Sequence, residues 1–200
     1  MRIAVLPGSV RDNGNNQGMQ HWVAAAINRA SDSPVDVVLG DLRKPPMALG
    51  PVVDPVMAAL NKDPSKYGNE PARQWSTFVT SCDAFVIVTP QYNRGYPGEL
   101  KNALDHLYWE WHGKSVLLVT YGGHGGGRCA AQLKQVLEDG LRMNVVGAVE
   151  VTLPEDYIRA STRLSVDAAE EFPEFLKERQ ADLEGALSTL FEAVGKEPAK

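Results

Sequence analysis

Residues 84–98 read AFVIVTPQYNRGYPG. Ala84 to Thr89 is an unbroken apolar run that stops at Pro90. An apolar run without polar alternation, this short and bounded by a breaker, predicts a strand buried on both faces. Pro90 opens a loop of amides, tyrosines and glycines, and Pro97 then suits the first turn of a helix, where its missing N–H costs nothing. The sequence therefore predicts strand, loop and a helix over 97–109, which is one half of a βαβ unit.

The same alternation recurs on both sides. Upstream, Arg2 to Leu6 predicts a buried strand ending at Pro7-Gly8. A helix follows over 16–29, with Met19, Trp22, Val23, Ala26 and Ile27 at helical spacing. Val35 to Leu39 is a second strand, and Glu70 to Ser81 a helix carrying Trp75, Phe78 and Val79 on one face. Downstream, Ser115 to Tyr121 and Val145 to Val151 are strands around a helix over about 128–141. Residues 174–194 form an amphipathic helix. Segment 41–69, with Pro45, Pro46, Pro51, Pro55 and Pro64, is too long for an ordinary connection. Asp54-Pro55 is expected to start a short helix through about Asn61. Strands without polar faces, alternating with helices, imply a covered parallel sheet. The expectation is one α/β domain over 1–200, a three-layer sandwich with a five-stranded parallel sheet in order 2-1-3-4-5. Its excursions are the 41–69 loop and the 152–200 connection with its C-terminal helix.

Composition narrows the functions. Twenty basic against 25 acidic side chains give a net charge of −5, which argues against a general nucleic-acid binder. No apolar run approaches the ~18 residues that span a bilayer, and the N-terminus lacks a signal-peptide layout. A cytoplasmic protein without membrane partners is expected. Cys82 and Cys129 lack CxxC spacing, so neither a disulfide scaffold nor a zinc site is expected. His106 and His112 have no carboxylate or cysteine at ligand spacing and are expected to pack rather than bind metal. Cys129 falls at a helix N-terminus, where a thiol pKa can drop; an inert buried thiol is expected instead.

In an open parallel sheet, ligands sit beyond the carboxyl ends of the strands, where strand order reverses. The loops there are PGSVRDNGNNQG (7–18), PQYNRGYPG (90–98) and GGHGGG (122–127). The first presents backbone amides ahead of a helix, which favours an anion. Ser9 and Arg11 add a hydroxyl and a bidentate cation suited to phosphate, and Asn15, Asn16 and Gln17 add neutral donors. The second loop offers flat faces in Pro90 and Tyr92 and ring-edge partners in Gln91 and Asn93. In the third, Gly122, Gly123 and Gly126 let backbone approach a ligand, with left-handed backbone expected at Gly123. Tyr121 can pack on a ring, and His124 can touch the ligand. Other phosphate devices fit less well: no GxxxxGK[ST] is present, and the glycine cluster lacks the GxGxxG spacing. A phosphoacceptor domain would place an aspartate where Thr89-Pro90 stand, and the first loop holds no cysteine for a phosphatase. Phosphate at one end and a hydrogen-bonding ring at the other describe a mononucleotide, and FMN suits this sheet order.

GSVR (8–11), TPQYNRGYPGELKNALD (89–105) and YGGHGGGRCAAQL (121–133) resemble the NADPH-dependent FMN reductase family of flavodoxin-like proteins. That family includes quinone, azo-dye and chromate reductases. The resemblance runs from Met1 to about Val151. It implies a flavodoxin-like fold, with FMN phosphate near Ser9, Arg11 and the Asn15–Gln17 turn and the ring between segments 90–93 and 121–126. It further implies NADPH or NADH as donor and quinones, azo compounds, free flavin or metal oxyanions as acceptors. Donor and acceptor would share one site in turn, in ping-pong fashion, with no catalytic side chain. Two positions depart from the family pattern. Gln91 stands where glutamate is common, and Gly14 where many relatives carry a second polar or basic phosphate contact, which leaves Arg11 as the loop's sole cation. Leu107, Tyr108, Trp109 and Trp111 exceed what one helical face can bury, so a homodimer or homotetramer is expected. The alternatives are a flavodoxin-type electron carrier, against which the mild charge counts, and an FMN-binding interaction module using 41–69 and the C-terminal helix.

Overall fold

The five apolar runs pair as parallel strands, β1 (Arg2–Pro7), β2 (Asp36–Leu39), β3 (Ala84–Pro90), β4 (Ser115–Gly122) and β5 (Asn144–Thr152), in the order β2-β1-β3-β4-β5. The computed structural model describes residues 1–167 and 171–196; residues 168–170 and 197–200, within the connection and tail read from the sequence, lie outside the described residues. Helices α1 (Asn16–Ala30), α2 (Glu70–Ser81), α3 (Gly98–Asp105), α4 (Gly127–Gln135), α5 (Glu155–Ile158), α6 (Glu174–Lys177) and α7 (Gln180–Lys196) complete the chain.

Every residue of β3 is buried, as its sequence requires. Strand alternation divides the side chains between two cores. Ile3, Val5, Val86, Val88 and Val119 pack with Trp22 and Ile27 of α1 and Leu183, Leu187 and Leu190 of α7. Ala4, Leu6, Phe85, Ile87 and Leu118 pack with α2, α3 and α4 on the other face. At α2, Asn69 Oδ1 accepts from the Ala72 amide at 2.9 Å, a cap of about 1 kcal/mol.

Several expectations change in detail. Helix α3 ends at Asp105, and Trp109–Trp111 forms a separate 3₁₀ turn. This break lets Leu107 and Trp111 turn into the core, where both are buried; of the aromatics assigned from sequence to an interface, Trp109 keeps the exposed face. Helix α4 passes into a π turn at Val136–Gly140, and the C-terminal helix is split between Lys177 and Gln180. No helix starts at Asp54. Its carboxylate accepts from the amides of Val56 at 3.0 Å and Gly68 at 2.6 Å, which closes a loop instead. A 3₁₀ turn at Ala58–Leu60 is what remains.

The long loop is nonetheless fastened. Asn102 Nδ2 donates to Gly50 O at 2.7 Å, and His106 Nε2 lies 3.1 Å from the same oxygen. The buried Glu110 carboxylate accepts from Tyr67 Oη at 3.0 Å and Ser76 Oγ at 2.5 Å. Thus Asn102, in the stretch that resembles a family signature, helps to fasten the 41–69 loop to α3. Among the described residues, no helix is long and apolar enough to cross a membrane.

Candidate active site

Strand order reverses at β1, and a cleft of about 240 Å³ opens beyond the carboxyl ends of β1, β3 and β4. The chain enters it through a tight junction. Gly8 N donates to Val88 O at 2.7 Å, and a Cβ on Gly8 would lie 2.0 Å from Thr89 Oγ1. Glycine is therefore required here for close approach of two strands.

Beyond Gly8 the first loop is tied across the cleft. Ser9 Oγ and Tyr92 Oη lie 2.8 Å apart, and the Arg11 amide donates to Ser9 Oγ at 3.2 Å. The Arg11 guanidinium lies over the Tyr92 ring, 4.8 Å from its centroid. Asp12 also lines the cleft but pairs with Arg43. The first turn of α1 carries no acidic residue, so its positive end is left uncompensated by its own side chains.

The other wall comes from β3 and β4. Gln91 N donates to Tyr121 O at 2.9 Å, and Gln91 Oε1 accepts from Cys129 N at 3.1 Å. The Gln91 side chain thus satisfies a donor at the start of α4, a task that a neutral amide performs. Burial pushes the Cys129 thiol up to about 12, so it supplies no thiolate near neutral pH. Tyr121 is buried below the cleft, its hydroxyl accepting from Asn16 Nδ2 at 3.1 Å; burial raises its pKa.

Of the residues singled out from sequence, Ser9, Arg11, Asn15, Pro90, Gln91, Tyr92, Tyr121, Gly122 and Gly123 line this cleft. Asn16, Gln17, Asn93, His124 and Gly126 do not. Asn16 is buried, its Nδ2 also donating to Val88 O at 2.9 Å, and Gln17 faces solvent on α1. Asn93 and Arg94 have φ of 48° and 72° at the tip of a turn closed by paired bonds between Tyr92 and Gly95, which carries Asn93 outward. After Gly123 the chain turns toward β5, so His124 stands with Glu150 and Arg179 on a different surface. The left-handed glycines are Gly125 and Gly126, with φ of 75° and 89°, rather than Gly123. Gly126 packs on Thr120 at the start of α4.

Four lining residues escape the sequence reading: Leu153, Tyr157, Ile158 and Arg163. They come from the connection after β5, whose single helical turn α5 is too short to show a hydrophobic period and which carries no glycine signal, so nothing local marks them. Arg163 also corrects the cation count, because Arg11 is not alone. Neither arginine has a carboxylate partner among the described residues. Two guanidinium groups without carboxylate partners, together with walls of proline, glycine and tyrosine in the same cleft, fit a flat ligand with an anionic tail.

Comparison with known proteins places the chain in a family. The family model for NADPH-dependent FMN reductase matches residues 1–157. An NAD(P)H-dependent FMN reductase of Saccharomyces cerevisiae is 41% identical over 157 residues, covering 77% of this chain and 82% of its own length. Another, from Schizosaccharomyces pombe, is 40% identical over 193 residues, covering 96% and 91%. In fold, the chain is similar to the flavoenzyme NAD(P)H:(acceptor) oxidoreductase of Paracoccus denitrificans, with a TM-score of 0.59, 21% identity and coverage of 98% and 97%. With sheet order and sequence in accord, the chain belongs to the NADPH-dependent FMN reductase family and is an enzyme of that class.

Proposed function

We propose that the cleft binds FMN and serves reduced nicotinamide and a flat electron acceptor by turns. The carrying observation is that one cleft is lined both by cationic groups, Arg11 and Arg163 beside the start of α1, and by flat or small ones, Pro90, Tyr92, Gly122 and Gly123. When bound, FMN supplies the two-electron chemistry, which no side chain here could perform. The chain's part is to hold and cover. Ser9 and Arg11 would hold the phosphate, with Arg11 seated on the Tyr92 ring. The amides of Gly122 and Gly123, which line the cleft, would favour negative charge on the ring. Leu153, Ile158 and Pro90 exclude water from the adjoining wall.

Quinones, azo compounds, free flavin and metal oxyanions are the acceptors we propose. Leu153, Ile158, Pro90 and the two glycines offer few polar groups with which to reject a wrong partner. NADPH and NADH are both proposed as donors. If donor and acceptor use the same face in succession, initial rates at several fixed acceptor concentrations give parallel double-reciprocal lines. Intersecting lines would mean that both bind together. Negligible nicotinamide oxidation beside tight FMN binding would mark an electron carrier instead.

We also propose that the protein is a homodimer or homotetramer. The support is an exposed apolar run, Val53 at 69%, Met57 at 64% and Leu60 at 72% exposure, continued by Trp109, whose Nε1 donates to Ala59 O at 3.0 Å. Large apolar patches of this kind mark interfaces. Sedimentation at micromolar concentration should show a species of at least twice 21.8 kDa; a monomer alone would remove the idea.

A further inference from the structure

The stretch from Leu153 to Leu164 leaves β5 and folds back across the cleft to the first loop. Leu153 N donates to Gly122 O at 2.9 Å. The Asn15 side chain then grips the stretch twice, its Nδ2 donating to Tyr157 O at 2.8 Å and its Oδ1 accepting from Leu164 N at 3.0 Å. The Leu164 side chain lies where Gly18 lacks one, since a Cβ on Gly18 would fall 2.3 Å from Leu164 Cβ. Asn15 and Gly18 therefore serve as fasteners for the chain's later portion.

Between these fasteners sits Arg163. Its Nε donates to Asn13 O at 2.6 Å, and its Nη1 to Ala160 O at 2.8 Å and Thr162 O at 2.6 Å. Carbonyl oxygens orient a guanidinium without cancelling its charge. Among the described residues, Nη2 makes no hydrogen bond and no carboxylate pairs with the group. Asp12, the acidic residue lining the cleft, is drawn off by Arg43. A fixed, unneutralised cation thus lines the same cleft as Arg11. Gly14 in the first loop offers no such charge. A phosphate monoester carries about −1.5 to −2 near neutral pH, more than one guanidinium balances.

We propose that Arg163 is the second phosphate-binding cation and that residues 153–164 form a clasp which selects the phosphorylated flavin. This rests on the reading of the cleft as an FMN site. Arg163 lies beyond the 1–157 span of the family match, so its part in the clasp is read from this chain's own residues.

The test is flavin titration of the full chain, followed by fluorescence, with FMN and riboflavin in parallel. Arg163→Gln keeps an amide for the carbonyls and removes the charge. It should weaken FMN about 10- to 100-fold, the range of a charged hydrogen bond, and change riboflavin less than about twofold. Arg11→Gln should act in the same direction. Arg163→Lys should fall between wild type and Arg163→Gln, which separates charge from fold. Trypsin gives a second readout: at equal occupancy, FMN should slow cleavage after Arg159 and Arg163 more than riboflavin does. Equal loss of both flavins in Arg163→Gln would make the residue a structural prop and overturn the clasp, as would unchanged FMN affinity or equal protection by the two flavins. If the wild-type chain itself fails to prefer FMN over riboflavin, the FMN-site reading falls and takes the clasp with it.

Discussion

Trp111→Ala should cost about 3–5 kcal/mol of stability, the range for removing a large buried aromatic, and lower Tm by about 6–20 °C for a chain of this size. The indole is fully buried. It meets Trp75 and Phe85 edge-on, with centroids 5.8 and 5.2 Å away, an arrangement that adds to area burial. Its Nε1 donates to Leu104 O at 3.1 Å, beside the end of α3. Alanine would leave a cavity between α2, β3 and this turn. Trp111→Phe keeps much of the packing and loses the hydrogen bond, so it should cost less than half as much. Urea denaturation read by far-UV circular dichroism measures both. A loss below about 1 kcal/mol, or a Tm that changes with protein concentration only in the wild type, would return Trp111 to an intersubunit role.

That contrast shows where the sequence could be read and where it could not. Buried parallel strands advertise themselves, because a run such as Ala84–Thr89 has no polar face to show. Sheet order and the place of the cleft then follow from connectivity and handedness. Trp109 and Trp111 were harder. Two residues apart, they cannot share a helical face, yet a break after Asp105 sends one inward and leaves the other out. Helix periodicity carries no information about such a break. The candidate site divides in the same way. Ser9, Arg11, Gln91, Tyr92, Gly122 and Gly123 sit next to strand ends, so their positions follow from the fold. His124 and Asn93 lie a few residues farther along, where turn geometry rather than the strand decides direction; left-handed backbone at Asn93 and Arg94 shapes one turn, and the bend toward β5 after Gly123 leaves His124 beside Glu150 and Arg179. Arg163 was invisible for another reason: it reaches the first loop from 150 residues later in the chain, without any pattern to announce the return.

Gly8→Ala should loosen FMN binding by more than ~100-fold and destabilise the chain by about 3 kcal/mol, the upper end of ordinary overpacking. The added methyl would meet Thr89 Oγ1 at 2.0 Å, its Cβ at 2.3 Å and its Cα at 2.8 Å. None of these atoms can step aside. Thr89 is fully buried, β-branched and so stiff at χ1, and its backbone belongs to the central strand. Relief has to come from parting β1 and β3 where Gly8 N now meets Val88 O. That junction also sets the distance between Ser9 and Tyr92, whose hydroxyls lie 2.8 Å apart, and hence the seat of Arg11 on the Tyr92 ring. A methyl group on Gly8 therefore acts on the seat of Arg11 through the strands. The clash also names its own cure. Thr89→Gly removes the two nearest of the three atoms, at a cost of roughly 0.5–1 kcal/mol for glycine within a strand. Gly8→Ala combined with Thr89→Gly should then bind FMN better than Gly8→Ala alone, and the double-mutant cycle should show coupling of about 1–3 kcal/mol. Additive effects, or full FMN affinity in Gly8→Ala, would mean that the spacing of β1 and β3 does not govern the cleft.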